Sequence, residues 1–363
     1  MAPKAFDFTP DYLIPPGEHL IEVLEAKGMS QSELATRMGR PQKTINEIVK
    51  GKAAITAETA IQLERALGVS AKLWNALESA YQLELAQKRD SARLRSLVEW
   101  AKRIPTKELT KRGAFEPAQD EIELVRRCLD FFGIDSPDTL LASSTVAAFR
   151  KSPAFDPDDL AMCAWLRLGE IEAARLSCAP FDKLEFKNAL VRLRLLSREP
   201  NLLVIKAKIQ EICAAVGVAV CFISELQRTH VCGAARWLTS EKALIQLSCR
   251  YESDDQFWFT FFHECAHVLL HGKKEGFLER EGSLDDEEED EANEFAASHL
   301  IPRQAFVSLM REKPISKDRI MAFAEEHEIS PGIVLGQLQK RKRLPFQTTL
   351  NQLKRFKFDL TSA

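Results

Sequence analysis

The stretch FWFTFFHECAHVLLHG, residues 257–272, constrains the fold more than any other part of the chain. Its aromatic and aliphatic residues predict a core helix, yet it also carries His263, Glu264 and His267. Ionisable groups in so apolar a helix are costly unless they pair with one another or coordinate something. Histidines four apart on a helix are about 40° of rotation and one turn of rise from each other, so both imidazoles face one point, and Glu264 lies about 100° round from His263. This HExxH spacing suits two Zn2+ ligands and a glutamate able to hold and deprotonate a water molecule. Zinc lowers the pKa of bound water toward ~7, which makes hydroxide available at neutral pH. Cys265 and Ala266, between the two histidines, are expected to face sheet or core.

A catalytic site of this kind needs a third protein ligand. A histidine six residues beyond His267 would give the metzincin pattern, but that position is Lys273. The alternative is a carboxylate from the downstream helix DEANEFAASHLIP, which offers Glu291 and Glu294. With Phe295, Ala292, Ala296 and Leu300 as the packed face, Glu291 lies one turn before Phe295 and is the expected ligand, with Glu294 next. His271 is expected at a solvent-facing rim. The acidic run DDEEEDE, residues 285–291, reads up to residue 290 as a solvated loop. Arg236, Tyr251 and His230 are the residues of the preceding region that could polarise a carbonyl, although a structural role is the simpler expectation for each.

A second chemistry is written near the N-terminus, in SQSELATRMGRPQKTINEIVKGK, residues 30–52. Ser30 with Glu33 three residues on makes a capping box, Gly39 marks a stop, and a new helix follows almost at once. Ile45, Ile48 and Val49 point inward, while Gln42, Lys43, Thr44 and Asn46 are polar or basic at the start of the second helix. Gln and Asn suit adenine edges and Lys suits guanine or phosphate; Arg40, Lys50 and Lys52 suit phosphates. Residues 28–55 hold five Lys or Arg against two Glu, a local net of +3 in a chain whose overall net charge is −3. The same pattern also fits a helical hairpin with a solvated basic face.

The length of 363 residues calls for more than one domain. Helical periodicity runs from residue 16 to about 200. After SREPN the short β-rich runs VAVCFISEL, CGAARWL and ALIQLSCR predict a small sheet. The expected organisation is mainly α with a small β-sheet: an all-α helix-turn-helix domain over 1–88, a helical spacer over 89–199, an α+β zincin-like domain over 200–340 and a basic tail over 341–363. The tail region 340–357 carries seven Lys or Arg and no acid, with apolar residues spaced between them, so it suits either phosphate contact or docking on the protein. Eight cysteines without a CxxC pair fit reduced buried thiols. With no signal-peptide pattern and no apolar run long enough for a bilayer, the expected location is cytoplasmic, with no membrane partner.

The segment DDQFWFTFFHECAHVLLHG followed by EEEDEANEFAASHLIP resembles the ImmA/IrrE family of zinc metallopeptidase domains, and the resemblance covers roughly residues 200–310. Ala266 stands where that family commonly has Gly, and the acidic insert between the two helices is long. The resemblance implies His263, His267 and Glu291 as zinc ligands, Glu264 as catalytic base, and cleavage of regulator proteins. It also suggests substrate docking by strand addition to an edge strand near CGAARWL. Residues 12–85 are similar to the Xre/Cro helix-turn-helix domain, in particular to its HigA antitoxin branch with INEIxxGK, ITAETA and a Trp before the L…Y pair. That similarity implies binding to a double-stranded DNA operator as a homodimer. Together the two resemblances imply a DNA-binding regulator joined to a zinc metalloendopeptidase that cleaves a partner regulator or its own chain. The rival expectation is a repressor, or an antitoxin for a cognate toxin, whose zincin-like domain is a non-catalytic sensor or dimerisation module.

Overall fold

A computed structural model describes residues 14–142, 157–227, 229–248, 250, 253–271, 277–280 and 287–355. Its contacts divide the chain into two units, residues 1–98 and 99–363, and draw no boundary near residue 200.

The first unit consists of helices α1 (Pro16–Ala26), α2 (Gln31–Met38), α3 (Gln42–Val49), α4 (Ala57–Leu67) and α5 (Ala71–Ser96). Helices as short as α1 to α4 are held by packing rather than by propensity. Leu20, Leu24, Leu34, Ile45, Ile48, Leu63, Leu67 and Trp74 form the shared core. Ser30 Oγ accepts the Glu33 N–H at 3.1 Å, while the Glu33 carboxylate turns to Arg37 at 2.7 Å, so only half of the capping box forms. Gly39 follows α2 with φ of 62°, and the N–H groups of Gly39 and Arg40 close back on Thr36 and Ala35. This is a Schellman ending, which a residue without Cβ adopts at least cost. It turns the chain sharply enough for α3 to begin at Gln42. The buried Glu78 of α5 accepts the Ile55 N–H at 2.9 Å, tying α5 to the segment that leads into α4.

Helix α6 (Val98–Lys102) starts at the boundary residue; in the second unit α7 (Thr106–Lys111), α8 (Glu121–Phe132) and α9 (Pro137–Ala142) precede the longer α10 (Pro157–Arg175), α11 (Lys183–Leu195) and α12 (Leu202–Ala214). A four-stranded sheet follows, built from β1 (Val218–Phe222), β2 (Val231–Thr239), β3 (Lys242–Leu247) and β4 (Phe277–Arg280) in the order β1-β3-β2-β4. β1 and β3 are parallel, and β2 runs antiparallel to both β3 and β4. β2 is therefore interior, not the edge strand expected near CGAARWL; β1 and β4 are the edges. Helix α13 (Asp254–Leu270) lies on one face of the sheet, and α14 (Glu287–Leu300), α15 (Arg303–Arg311), α16 (Lys317–Glu326) and α17 (Pro331–Lys340) complete the unit.

Strand parity assigns each residue to a face. Ala235, Ile245 and Val220 join the core around α13, while Ala219, Cys221 and Leu244 pack with Ala173 of α10 on the other side. Polar bonds fasten α10 to the sheet. Trp165 Nε1 donates to the Ile223 carbonyl at 2.9 Å, and Lys242 Nζ donates to the carbonyls of Ala173 and Leu176, capping the end of α10. Part of the expected spacer thus belongs to the same body as the sheet.

The basic segment after α17 folds back onto the start of α13. Asp254 N–H donates to the Arg355 carbonyl and Arg355 N–H to Asp254 Oδ1, both at 3.0 Å. Ser330 Oγ donates to the same carboxylate. Lys354 pairs with Asp255 at 2.7 Å, and Leu353 is buried. Up to Arg355 the tail is docked on the protein, the second of the two roles its pattern allowed. Burial raises the Asp254 carboxyl to about 6, although Ser330 and the Arg355 N–H pull the other way. The unfolded value is about 4, so the native state holds this proton more tightly. The resulting stability is fully present below about pH 4 and is lost as the pH rises through about 6. Asp254→Asn, which keeps an acceptor but no charge, should gain about 1–2 kcal/mol relative to wild type between about pH 5 and 7.5 in urea denaturation. Asp254→Ala, which leaves Ser330 and Arg355 without their acceptor, should lose about 1–3 kcal/mol.

Candidate metal centre

Helix α13 is buried on nearly every side, with the sheet against one face and α14 and α17 against others. His263 and His267 are each 1% exposed and Glu264 is 0% exposed. The i, i+4 spacing brings the two imidazoles together, with their Nε2 atoms 3.0 Å apart. Cys265 and Ala266 are buried as expected, Cys265 within the main core. Glu264 projects toward β2. A Cβ on Gly233 would stand 2.5 Å from Glu264 Oε1 and 3.0 Å from its Cδ, so only glycine at 233 leaves this carboxylate room.

The third group is Glu289, from the first turn of α14. Its carboxylate lies 3.2 Å from His263 Nε2 and 3.4 Å from His267 Nε2. These three residues form a cluster whose ligand atoms all lie within 4.8 Å of one another. Tetrahedral zinc with bonds of 2.0–2.1 Å has ligand atoms about 3.3 Å apart, so the donor set and its spacing fit such an ion. Burial works to raise the Glu289 carboxyl, but hydrogen bonds to His263 and His267 overcome it and hold the group down at about 2. Burial, with the neighbouring His263 and His271, holds His267 below its ordinary value although Glu289 pulls the other way, which favours the neutral imidazole that a metal requires.

The structure does not bring Glu291 to the cluster. Its side chain is 67% exposed and lies 3.3 Å from His271 Nε2. The buried stripe of α14 is Ala292, Ala296 and Leu300, and stepping back three residues from Ala292 reaches Glu289, not Glu291. Counting Phe295 into that stripe moves the choice two positions, to Glu291; in the structure Phe295 is only half-buried against the core and stacks on His299. Glu294 also faces away, between Arg303 at 3.8 Å and Arg341 at 3.9 Å. The small residues Ala292 and Ala296, which let two helices approach closely, are the signal that could have found Glu289. His271 is not at a solvent-facing rim: its side chain is 4% exposed.

Arg236 is excluded from the cluster by strand parity. It faces α10, where Nη2 donates to the Leu166 carbonyl at 2.5 Å and to Gln246 Oε1 at 3.1 Å. His230 is exposed, and Tyr251 lies outside the described residues, as do Asp285 and Asp286 of the acidic run. In the first unit, Gln42, Lys43, Asn46, Lys50 and Lys52 are exposed, and Thr44 is half-buried. Lys43 lies 3.8 Å from Glu47. Arg40 is held by α4: its Nε donates to Gln62 Oε1 at 2.6 Å.

With this geometry in hand, comparisons with known proteins decide the family. Residues 20–74 match the helix-turn-helix family model, and residues 217–338 match that of the IrrE N-terminal-like domain, a peptidase family. The chain is 38% identical over 84 residues to the "Uncharacterized HTH-type transcriptional regulator YddM" of Escherichia coli, covering 23% of this chain and 89% of that protein. It is 40% identical over 75 residues to "Virulence-associated protein I" of Dichelobacter nodosus, covering 20% of this chain and 69% of that one. The chain belongs to the helix-turn-helix family and carries an IrrE-like peptidase domain. Among solved structures, it is similar to the Pseudomonas aeruginosa antitoxin HigA with the higBA promoter, at 34% identity over 23% of this chain and 90% of that chain, with a TM-score of 0.22. Among the described residues, no helix is long and apolar enough to cross a membrane.

The assignment of Glu289 is checked by metal content. Protein purified without added metal should carry about one zinc per chain, and both His267→Ala and Glu289→Ala should lose it. Glu294→Ala should retain it. Retention in Glu289→Ala with loss in Glu291→Ala would restore the ligand set expected from the sequence.

Proposed function

We propose that this chain is a DNA-binding transcriptional regulator whose second unit is a zinc-dependent endopeptidase, acting on a partner regulator or on the chain itself. The observation that carries the peptidase reading is the convergence of His263, His267 and Glu289 beside a fully buried Glu264. His263, His267 and Glu289 would hold Zn2+, with Glu289 in the role that the sequence assigned to Glu291. When bound, the ion supplies Lewis-acid activation of a water molecule and of the scissile carbonyl. Glu264 takes the proton as the water oxygen attacks the carbonyl carbon, then passes it to the leaving amine as the C–N bond breaks. Gly233 leaves room for the Glu264 carboxylate, and the α13 backbone fixes its position relative to both histidines.

For DNA, α3 presents Gln42, Lys43 and Asn46 in the manner of a recognition helix, with Thr44 beside them. Lys50 and Lys52 follow at its end as phosphate contacts, and the Gln62 bond orients Arg40 for the same purpose. The proposed operator is double-stranded and palindromic, bound by a homodimer in the cytoplasm.

Glu264→Gln separates this reading from a repressor or antitoxin with a non-catalytic zincin-like unit. It should abolish cleavage of the target while zinc content and operator affinity stay at wild-type levels; cleavage that survives the change would remove Glu264 from the mechanism. On DNA, Asn46→Ala should cost about 1–3 kcal/mol at the operator and relax base preference there. Lys52→Ala should weaken binding to all sequences and lower the salt slope by about one. Titration of labelled operator at several salt concentrations reads both effects.

A further inference from the structure

Helix α11 is apolar on two opposite sides. Phe186, Ala189, Leu190 and Leu193 are buried in the main core. At 100° per residue, Leu184, Asn188, Val191 and Leu195 fall within about 60° of one another on the side turned away from that core. Leu184 is 66% exposed, Val191 61% and Leu195 43%, and Asn188 is exposed between them. A single exposed leucine needs no explanation, but an aligned apolar row marks a surface that another molecule covers.

The spacing of that row and the charges beside it fit one occupant. Steps of 4, 3 and 4 residues are those of a coiled-coil seam, with Leu184 and Val191 at d positions and Asn188 and Leu195 at a positions. They also read the same in both directions. A second copy of α11, running antiparallel about a two-fold axis, therefore places Leu184 against Leu195 of that copy and Asn188 beside its Val191, twice over. Glu185 and Arg192 hold the e positions on one flank; both are exposed, and neither makes an ion pair among the described residues. Antiparallel packing sets e against e, and Glu185 of each copy then comes within about 3 Å of axial rise of Arg192 of the other. Parallel packing would set g against e and bring Lys187 against Arg192 on both flanks. On its second flank the antiparallel pair brings Lys187 toward Arg194. Arg194 is already committed within its own chain, its Nε to the Leu300 carbonyl at 3.0 Å and its Nη2 to the His327 carbonyl at 2.6 Å. Asn188 is the kind of polar a residue that fixes register and partner number at a cost in stability.

We propose that the second unit pairs with a second copy of this chain through α11. The two helices run antiparallel, with Leu184, Val191 and Leu195 as the apolar seam and Glu185 and Arg192 as reciprocal ion pairs. This pairing is independent of the metal and peptidase readings. Four seam residues from each copy make a short contact, so the association is reversible.

Cysteine cross-linking of the full-length protein tests it. Positions 184 and 195 lie roughly 16 Å apart along one helix, too far for a disulfide within a chain, but adjacent across the proposed interface. Under mild copper–phenanthroline oxidation, Leu184→Cys/Leu195→Cys should run largely as a covalent dimer on a non-reducing gel. Wild type, Leu184→Cys and Leu195→Cys should stay at monomer size. Adding Glu185→Arg to the double variant should slow cross-linking about three- to tenfold, and adding Arg192→Glu as well should restore it. All four changed side chains are exposed, so none of these variants disturbs the core. No dimer in the double variant overturns the proposal. Dimer in Leu184→Cys alone means a parallel or unordered contact and overturns it equally. Cross-linking that is indifferent to Glu185→Arg removes the ion pairs and, with them, the antiparallel register.

Discussion

Two imidazoles and a carboxylate meet inside an apolar interior, and the architecture of the second unit follows from what that meeting requires. His263 and His267 share a helix that has almost no exposed face, so the helix must be covered on all sides. The sheet covers one side, and α14 and α17 cover others. The carboxylate has to arrive from a neighbouring helix at close range, and Ala292 and Ala296 are small enough to allow that approach. Desolvation opposes charge at His267 and at Glu289. Their mutual hydrogen bonds offset part of that cost, and a divalent ion would offset more of it.

Both ends of α13 are held by polar contacts, and its middle is held by the sheet. At its start, Asp254 exchanges backbone and side-chain hydrogen bonds with Arg355, so the last described residues of the chain close over the helix. At its end, His271 turns back beside His267 and meets Glu291. Between them, Gly233 on an interior strand makes room for Glu264. The opposite face of that strand carries Arg236, which ties α10 to the sheet through Leu166 and Gln246. One strand therefore serves the cluster through alternate residues on one side and the unit's cohesion through those on the other.

The first unit reaches its shape by simpler means. Four short helices and the start of the long α5 share one apolar core, and a left-handed glycine makes the turn that exposes the polar start of α3. Its polar surface residues are free of core duties, with the exception of Arg40, which α4 orients through Gln62. The two units thus separate two kinds of chemistry: a polar exposed helix face with lysines just beyond its end in one, a buried donor cluster in the other. The comparisons divide the same way, with the helix-turn-helix match confined to residues 20–74 and the peptidase match to 217–338.

Local spacing alone was enough to place His263, Glu264 and His267 on one helix and to bury Cys265, because 3.6 residues per turn leave no other arrangement in so apolar a run. The same holds for the Ser30 cap, the Gly39 stop and the outward face of α3, all of which depend on neighbours within a turn or two. For the carboxylate of EEEDEANE the sequence points to the wrong residue: it reads the acids up to residue 290 as a solvated loop and Glu291 as the ligand, whereas residues 287–290 open α14 and Glu289 meets the histidines. An acidic helix start offers several candidates about 100° apart, and the choice depends on how α14 rotates against α13. That rotation is set by the burial of Ala292, Ala296 and Leu300, and it turns Glu289 inward and Glu291 out to His271. The sheet order, with CGAARWL at its interior, and the docking of the basic segment on Asp254 were likewise decided by contacts between residues far apart in the chain, where no local period carries the information.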